Sequence, residues 1–316
     1  MGVYIVDKPI GLTSFDVVAR ARKILNTRRI GHTGTLDPLA TGVLVLTVGD
    51  STKLVQFLET DSKDYLAFIS LGASTPTLDA EGPILETDTA RTFSKLEVEA
   101  VLEQFRGEQE QLPPAYSAIH IDGRRAYDLA RSGQEVVLPA RRVTVHALEL
   151  RLLLPSMQEF MGLEYRPVTP DDRTGSWGAS PNGYSFQFPA PLGAFQTVML
   201  FVSVSSGTYI RSLARDIGAA LGVPAHLAGL VRTRVGRFKL TEAVPLEGLG
   251  SAVEKSDLES LELPVLAVDA KTARNIRDGK RVMHEHVGRA VVTLEGALVA
   301  VVDGNGSQLK VLRAWQ

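Results

Sequence analysis

The 316-residue chain contains no cysteine. That excludes disulfides, thiolate nucleophiles and thiolate metal sites together. It also lacks any apolar run near the roughly 20 residues that span a bilayer. Its first residues, MGVYIVDKPIGLTS, lack the basic, apolar and small-residue layout of a signal peptide. A cytoplasmic location with no membrane partner is therefore expected. An excess of positive charge is missing too: the net charge is −2. That speaks against a strongly basic nucleic-acid surface, because phosphate binding favours cations.

What is present is ordinary globular composition, 44% hydrophobic and 22% charged, in a chain long enough for more than one domain. The charge is uneven. Between 200 and 240, Arg211, Arg215, Arg232, Arg234, Arg237 and Lys239 face a single acid, Asp216. Arg20, Arg22, Lys23, Arg28 and Arg29 form a second acid-free stretch. Each is either a local basic face or a set of solvated helix sides.

Hydrophobic spacing predicts a strand at VYIVDKP and a helix over TSFDVVARARKILN with Ser14 as N-cap. VLVLTVG is an unbroken apolar run, expected as a strand buried on both faces. DSTKLVQFLE, SKLEVEAVLEQFRG and YIRSLARDIGAALG read as helices, and KDYLAFISLG, RRVTVHALELRLL and TVMLFVSVS as strands. AHLAGLVRTRVGRF reads as a helix leading into a strand, and SAVEKSDLESL as a polar helix. Residues 155–195, rich in Pro, Gly, Ser and aromatics, read as an inserted excursion. The tail from about 255 reads as a compact β-rich module with hairpin signals at Asp303-Gly304 and Asn305-Gly306.

One loop carries the chemistry question. GHTGTLDPLATG, residues 31–42, holds three glycines and one carboxylate, Asp37. It has no lysine, so it is not a nucleotide-cradling Gly-Lys-Ser/Thr loop. It leads into a strand with glycines at 31, 34 and 42, so it is not a dinucleotide-binding turn. His32 and Asp37 are two possible metal ligands without a third nearby. The residues alone leave two readings: a tight turn in which Asp37 caps backbone amides, or a loop that presents Asp37. A presented acid is held ionised by a cation. Arg211, at the start of a helix where a positive charge is unfavourable, is the candidate partner. Tyr65 and Tyr209, read as lying near strand starts, are half-buried tyrosines or base-stacking aromatics.

Five ordered blocks resemble one family. They are VDKPIGLTSFDVV, RRIGHTGTLDPLATGVLVLTVGDSTKL, KDYLAFISLGASTPTLDAEG, QLPPAYSAIHIDGRRAYDLARSGQEVVLPARRVTVHALEL and SSGTYIRSLARDIGAALG. Together they resemble the motif series of the bacterial tRNA pseudouridine synthase B (TruB) family across most of residues 1–150 and 200–240. The resemblance implies an α+β pseudouridine synthase fold: a central, mostly antiparallel mixed sheet flanked by helices and loops. It implies a catalytic domain over 1–250, with a thumb loop at about 108–140 and the insertion at about 155–195. A C-terminal PUA-like RNA-binding module over 255–316 follows.

The implied activity is isomerisation of the T-loop uridine of tRNA, at position 55, to pseudouridine. No cofactor and no metal is implied, the partner is the T stem-loop, and the usual state is a monomer. By motif position Asp37 is the essential nucleophile or base, Arg211 its partner, and Tyr65 the residue that stacks on the base. His32 belongs where the flipped nucleotide leaves the stack, and Tyr209 and Leu230 at substrate contacts. Lys8 and Pro9 support the aspartate loop, and Arg124, Arg125 and Arg131 are expected phosphate contacts. The chain departs from the pattern at His120, where lysine is usual, and at Val231, where an arginine is common and one phosphate contact is expected to be lost. Two other classes compete: a non-catalytic RNA-binding or RNA-chaperone protein on the same scaffold, and a metal-dependent nucleotide or sugar enzyme using His32 and Asp37.

Overall fold

The computed structural model describes all residues except 1, 59–60, 118, 122, 135, 156–163, 167–175, 179–183, 186–194 and 316. Ten strands form the main sheet. In chain order they are β1 (Val3–Lys8), β2 (Ile30–His32), β3 (Ala40–Val48), β4 (Ser62–Leu71) and β5 (Gly107–Gln111). Then come β6 (Arg141–Leu154), β7 (Thr197–Ser205), β8 (Ala225–Val235), β9 (Phe238–Lys239) and β10 (Val244–Pro245). The order across the sheet is β10-β1-β3-β8-β4-β7-β6-β5, with β2 on β3 and β9 on β8. Only β1/β10 and β3/β8 run parallel. The expected mostly antiparallel mixed sheet is what forms.

Both faces are covered, which is why the strands read as apolar runs rather than alternations. On β4, Ala67 and Ile69 pack with Leu213 and Ile217 of helix α4 (Ile210–Leu221) and Val98 and Leu102 of α2 (Lys95–Leu102). Leu66 and Phe68, one residue out of step, join the opposite core with Phe201, Val291, Val301 and Trp315. Val291 and Val301 belong to a second sheet, and Trp315 directly follows its last strand. That sheet comprises β11 (Val265–Ala267), β12 (Val282–Met283), β13 (Val287–Leu294), β14 (Ala297–Asn305) and β15 (Gln308–Ala314), in the order β11-β13-β14-β15-β12. Its other face packs on α5 (Ala270–Arg277) through Ala273 and Ile276.

Several local expectations need correction. AHLAGLVRTRVGRF contains no helix: residues 225–235 are one long strand, β8, threaded between β3 and β4. Its apolar run has no period that separates a buried strand from a buried helix. DSTKLVQFLE is only a 3-10 turn at Gly49–Leu54, and SAVEKSDLESL keeps four helical residues, Asp257–Ser260. In the tail, Asp303-Gly304 lies inside β14, and the turn falls after Asn305. The other hairpin turns at Glu295-Gly296, both at positive φ, a signal the composition hid. Within 155–195 the described residues form three short strands, Glu164–Arg166, Ser176–Gly178 and Tyr184–Ser185; most of that expected excursion lies outside the described residues.

Helix α1 (Ser14–Ile24) is capped by Thr13, not Ser14. Thr13 accepts from the Asp16 amide, and Asp16 closes a capping box. Ser14 is thereby free for another task. Its buried hydroxyl accepts from the Leu36 amide at 2.8 Å and donates to the Leu36 carbonyl at 3.2 Å. The helix start thus holds the glycine-rich loop.

Candidate active site

The 31–42 loop is fixed from below and open above. Leu36 and Leu39 are buried on either side of Asp37. Asp37 itself keeps 41% of its side-chain exposure. Beneath the loop, the fully buried ammonium of Lys8 donates to the carbonyls of Pro9 at 2.9 Å, Leu12 at 2.5 Å and Pro38 at 3.4 Å. Burial pulls the Lys8 ammonium down to about 8, while Glu81 and Asp37 favour its charged form.

Gly42 ends the loop for an internal reason. At φ +97° it pairs with Arg232 across β3 and β8, and a Cβ there would lie 2.3 Å from the Arg232 carbonyl oxygen. The glycine is needed by the neighbouring strand rather than by an approaching ligand. Its amide donates to Asp7 at 3.1 Å. Burial raises the Asp7 carboxyl from 3.8 to about 6. A raised acid gives stability that is complete below 3.8 and lost as pH climbs through 6, about 3 kcal/mol by linkage. Asp7→Asn keeps the acceptor for Gly42 and removes the titration. We expect it to raise the melting temperature at pH 8 and to leave it nearly unchanged at pH 3.5. Equal effects at both pH values would contradict this assignment.

Arg211 organises the rest. Its side chain is 8% exposed, and each nitrogen has a different partner. Nε meets Asp37 Oδ2 at 3.0 Å. Nη1 donates to the Thr77 carbonyl at 3.0 Å and faces Asp79 Oδ2 at 3.4 Å. Nη2 donates to the Tyr116 carbonyl at 3.0 Å. The cation's unfavourable place in the first turn of α4 is thus matched by two carboxylates and two carbonyls. Burial still raises the Asp79 carboxyl, held by Thr77 and Arg211. Burial, with Asp79 and Asp37 nearby, lifts Glu81 to about 7.

The expected partners gather on one cavity of about 590 Å³. Asp37, Arg211, Tyr65, Tyr209 and Leu230 all line it, together with Lys63, Asp79, Glu81, Tyr116 and Arg125. Lys8 supports the loop from behind. His32, half-buried at the end of β2, accepts at Nδ1 from the Gly34 amide at 3.3 Å. Burial and Arg232 lower its pKa, so the ring is neutral with its proton on Nε2. Burial raises the Tyr65 phenol, which stays protonated. Among the described residues no group of three or more His, Asp or Glu side chains could hold a metal ion. The cation between Asp37 and Asp79 is a guanidinium.

Arg232 fits neither reading of its cluster, a basic face or a solvated helix side. It is 1% exposed, donating to the carbonyls of Val43 at 2.8 Å, Thr35 at 3.2 Å and Gly34 at 3.2 Å. Arg234 pairs with Asp64, Arg215 with Asp216, and Arg237 with Glu262. Two of the six cations of the 200–240 cluster, Arg211 and Arg232, are thus buried inside the fold, while Arg237 stays exposed. Val231, too, is buried in the sheet. Other exposed cations include Arg20, Lys23 and Arg28, then Arg124, Arg125 and Arg131 between β5 and β6, and Arg274, Arg281, Arg289 and Arg313 in the tail. In the segment between β5 and β6, His120–Ile121 pairs with Arg124–Arg125 ahead of a short helix, α3 (Ala126–Arg131). Asp79 and Glu81 were missed as site residues, although their motif, TPTLDAEG, is plain in the sequence.

Residues 22–161 match the model of the TruB family pseudouridylate synthase N-terminal domain. Residues 211–270 match that of the tRNA pseudouridylate synthase B C-terminal domain. The chain is 56% identical over 315 residues to proteins named tRNA pseudouridine synthase B of Deinococcus deserti and Deinococcus radiodurans, covering 100% of each partner. It is 44% identical to the Thermus thermophilus protein of that name, covering 100% of this chain and 99% of the other. Among solved structures, one of a Cbf5-Nop10-Gar1 complex aligns at a TM-score of 0.65 and 24% identity. That alignment covers 100% of this chain and 85% of the other, and shows the pseudouridine synthase fold. The sequence, the sheet and the relatives agree: this chain belongs to the TruB family of pseudouridylate synthases.

Proposed function

We propose that the protein isomerises the T-loop uridine of tRNA, at position 55, to pseudouridine. The observation that carries this reading is Asp37, a half-exposed carboxylate on the wall of a cavity and gripped by a buried arginine. The family and the named relatives supply the substrate class.

The target base must first leave its stack, at a cost of a few kcal/mol. Tyr65, on the cavity wall, offers the flipped uracil an aromatic face, and His32 takes the place it leaves. Asp37 then acts on the ribose, either by attacking C1′ or by removing a C2′ proton. The bond from N1 to C1′ breaks, the uracil turns, and C5 bonds to C1′. C5 gives up its proton and N1 gains one, so the reaction is a balanced isomerisation that consumes nothing. Arg211 keeps the carboxylate oriented throughout. Tyr209 and Leu230 contact the nucleotide, and Lys8 with Pro9 holds the loop rigid.

Arg124, Arg125 and Arg131 would take phosphates of the T stem-loop, the segment between β5 and β6 acting as the thumb. We assign catalysis to residues 1–250 and a supporting RNA contact to 255–316, a PUA-like module. Mapping pseudouridine by carbodiimide adducts and reverse transcription tests the position. A single stop at the T-loop uridine is expected, lost when that uridine is replaced by cytidine. Stops elsewhere with none in the T-loop would overturn the assignment.

A further inference from the structure

Gln111 ends β5 and is 2% exposed, an unusual place for a flexible amide. Its side chain binds the main chain of Tyr209 twice. Oε1 accepts from the Tyr209 amide at 2.8 Å, and Nε2 donates to the Tyr209 carbonyl at 3.1 Å. The carboxamide thus copies the paired bonds of a neighbouring strand. Tyr209 needs such a partner. It is the N-cap of α4, and its own side chain makes no capping bond there.

Arg141 sits directly opposite Gln111 across β5 and β6. Its guanidinium lies over the Tyr209 ring at 5.4 Å. One cross-strand pair therefore holds both the backbone and the ring of Tyr209. Two residues further along the chain is Arg211, the partner of Asp37. Further bonds join the same places: the Ser212 hydroxyl donates to the Leu112 carbonyl at 2.7 Å, and Arg215 Nη2 to the same carbonyl at 3.2 Å. Arg211 itself reaches the Tyr116 carbonyl. Residues 111, 112 and 116 form the root of the segment that carries the exposed arginines. The first turn of α4 is thus set against that root rather than by its own cap.

We propose that Gln111 is a positioning residue: it ties the root of the 112–140 segment to Tyr209 and, through the first turn of α4, sets Arg211 against Asp37. The proposal rests on the pseudouridylation reading above. Gln111 touches no substrate; it acts by holding a geometry, and a displacement of about 1 Å in such a geometry costs roughly a hundredfold in rate. The 112–140 root and the catalytic pair are on this view one mechanical unit.

Gln111→Met keeps the side chain's shape and removes both bonds. Single-turnover release of tritium from tRNA labelled at uracil C5 reads the chemical step, and filter binding reads Kd for the same tRNA. We expect Q111M to slow the chemical step by roughly ten- to a hundredfold with Kd within about threefold. In an Arg211→Lys background the same change should add less than about twofold, because both act on one contact. Full multiplication of the two losses would overturn the proposal, as would wild-type rates in Q111M. If Q111M does not fold, Gln111→Glu, which retains only the bond from the Tyr209 amide, carries the same cycle. Wild-type protein is measured alongside. A silent wild type removes the activity on which the proposal stands, whereas an active wild type matched by an equally fast Q111M refutes the positioning role alone.

Discussion

Asp37→Asn should lower the single-turnover rate of isomerisation by roughly four orders of magnitude, the scale on which removing a central catalytic group acts. Affinity for tRNA should change by less than about threefold. The reason lies in where the carboxylate sits. Its neighbours Leu36 and Leu39 anchor the loop, Ser14 holds the Leu36 backbone, and Lys8 holds Pro38, so the loop does not depend on the Asp37 side chain. Asparagine keeps the size and one acceptor oxygen, which can still meet Arg211. What it loses is the negative charge and nucleophilicity. A variant that retained a tenth of the wild-type rate would show that another group performs the reaction. Glu81, on the same cavity wall, would be the next to test.

Arg211 should show a different pattern, losing both activity and stability. Arg211→Lys retains a positive charge but not the planar fork that serves Asp37, Thr77, Asp79 and Tyr116 together. A rate loss of roughly a hundred- to a thousandfold is expected, comparable with removal of one preorganised electrostatic contact. Arg211→Met goes further, because it leaves Asp79, only 3% exposed, without its cation. Stranding a buried charge costs about 3–5 kcal/mol. Adding Asp79→Asn should restore much of that stability while leaving the enzyme slow. Thermal melts and single-turnover rates on the two variants read the two effects separately. If the second change restored the rate as well, Arg211 would be needed only to neutralise Asp79, and its role at Asp37 would fall.

Much of this was legible in the sequence, and the reasons differ by element. Helices α1, α2 and α4 declared themselves through spacing, because one face of each meets the sheet. The 31–42 loop was recognisable by what it lacked, and its distant partner Arg211 by an otherwise unfavourable place at a helix start. β8 was not legible. A strand buried on both faces shows no alternation, and its arginines looked like surface charge. Arg232 makes the physical point. An arginine that ends among three backbone carbonyls is indistinguishable, in one dimension, from one that meets phosphates.

Charge counting misled for the same reason. The net charge of −2 argued against nucleic acid, and the 200–240 cations argued for it. Neither is the relevant quantity, because half-buried and paired cations do not face a ligand. A polyanion would meet exposed cations, among them Arg20, Lys23 and Arg28, Arg124, Arg125 and Arg131, and tail residues such as Arg274 and Arg289. Lys8 and Gln111 were both visible as residues, but their work depends on which backbone groups they meet, and that needs the fold.

On the proposed reading, Asp37, held by Arg211, isomerises uridine without help from a metal. Tritium release from tRNA labelled at uracil C5, followed with the intact protein in excess EDTA, addresses it most directly. The account predicts release of one equivalent of tritium per tRNA at a rate unchanged by EDTA, and none from Asp37→Asn. Tight tRNA binding with no release from the wild-type protein would contradict it and favour an RNA chaperone. Release abolished by EDTA and restored by a divalent cation would contradict it in favour of metal chemistry.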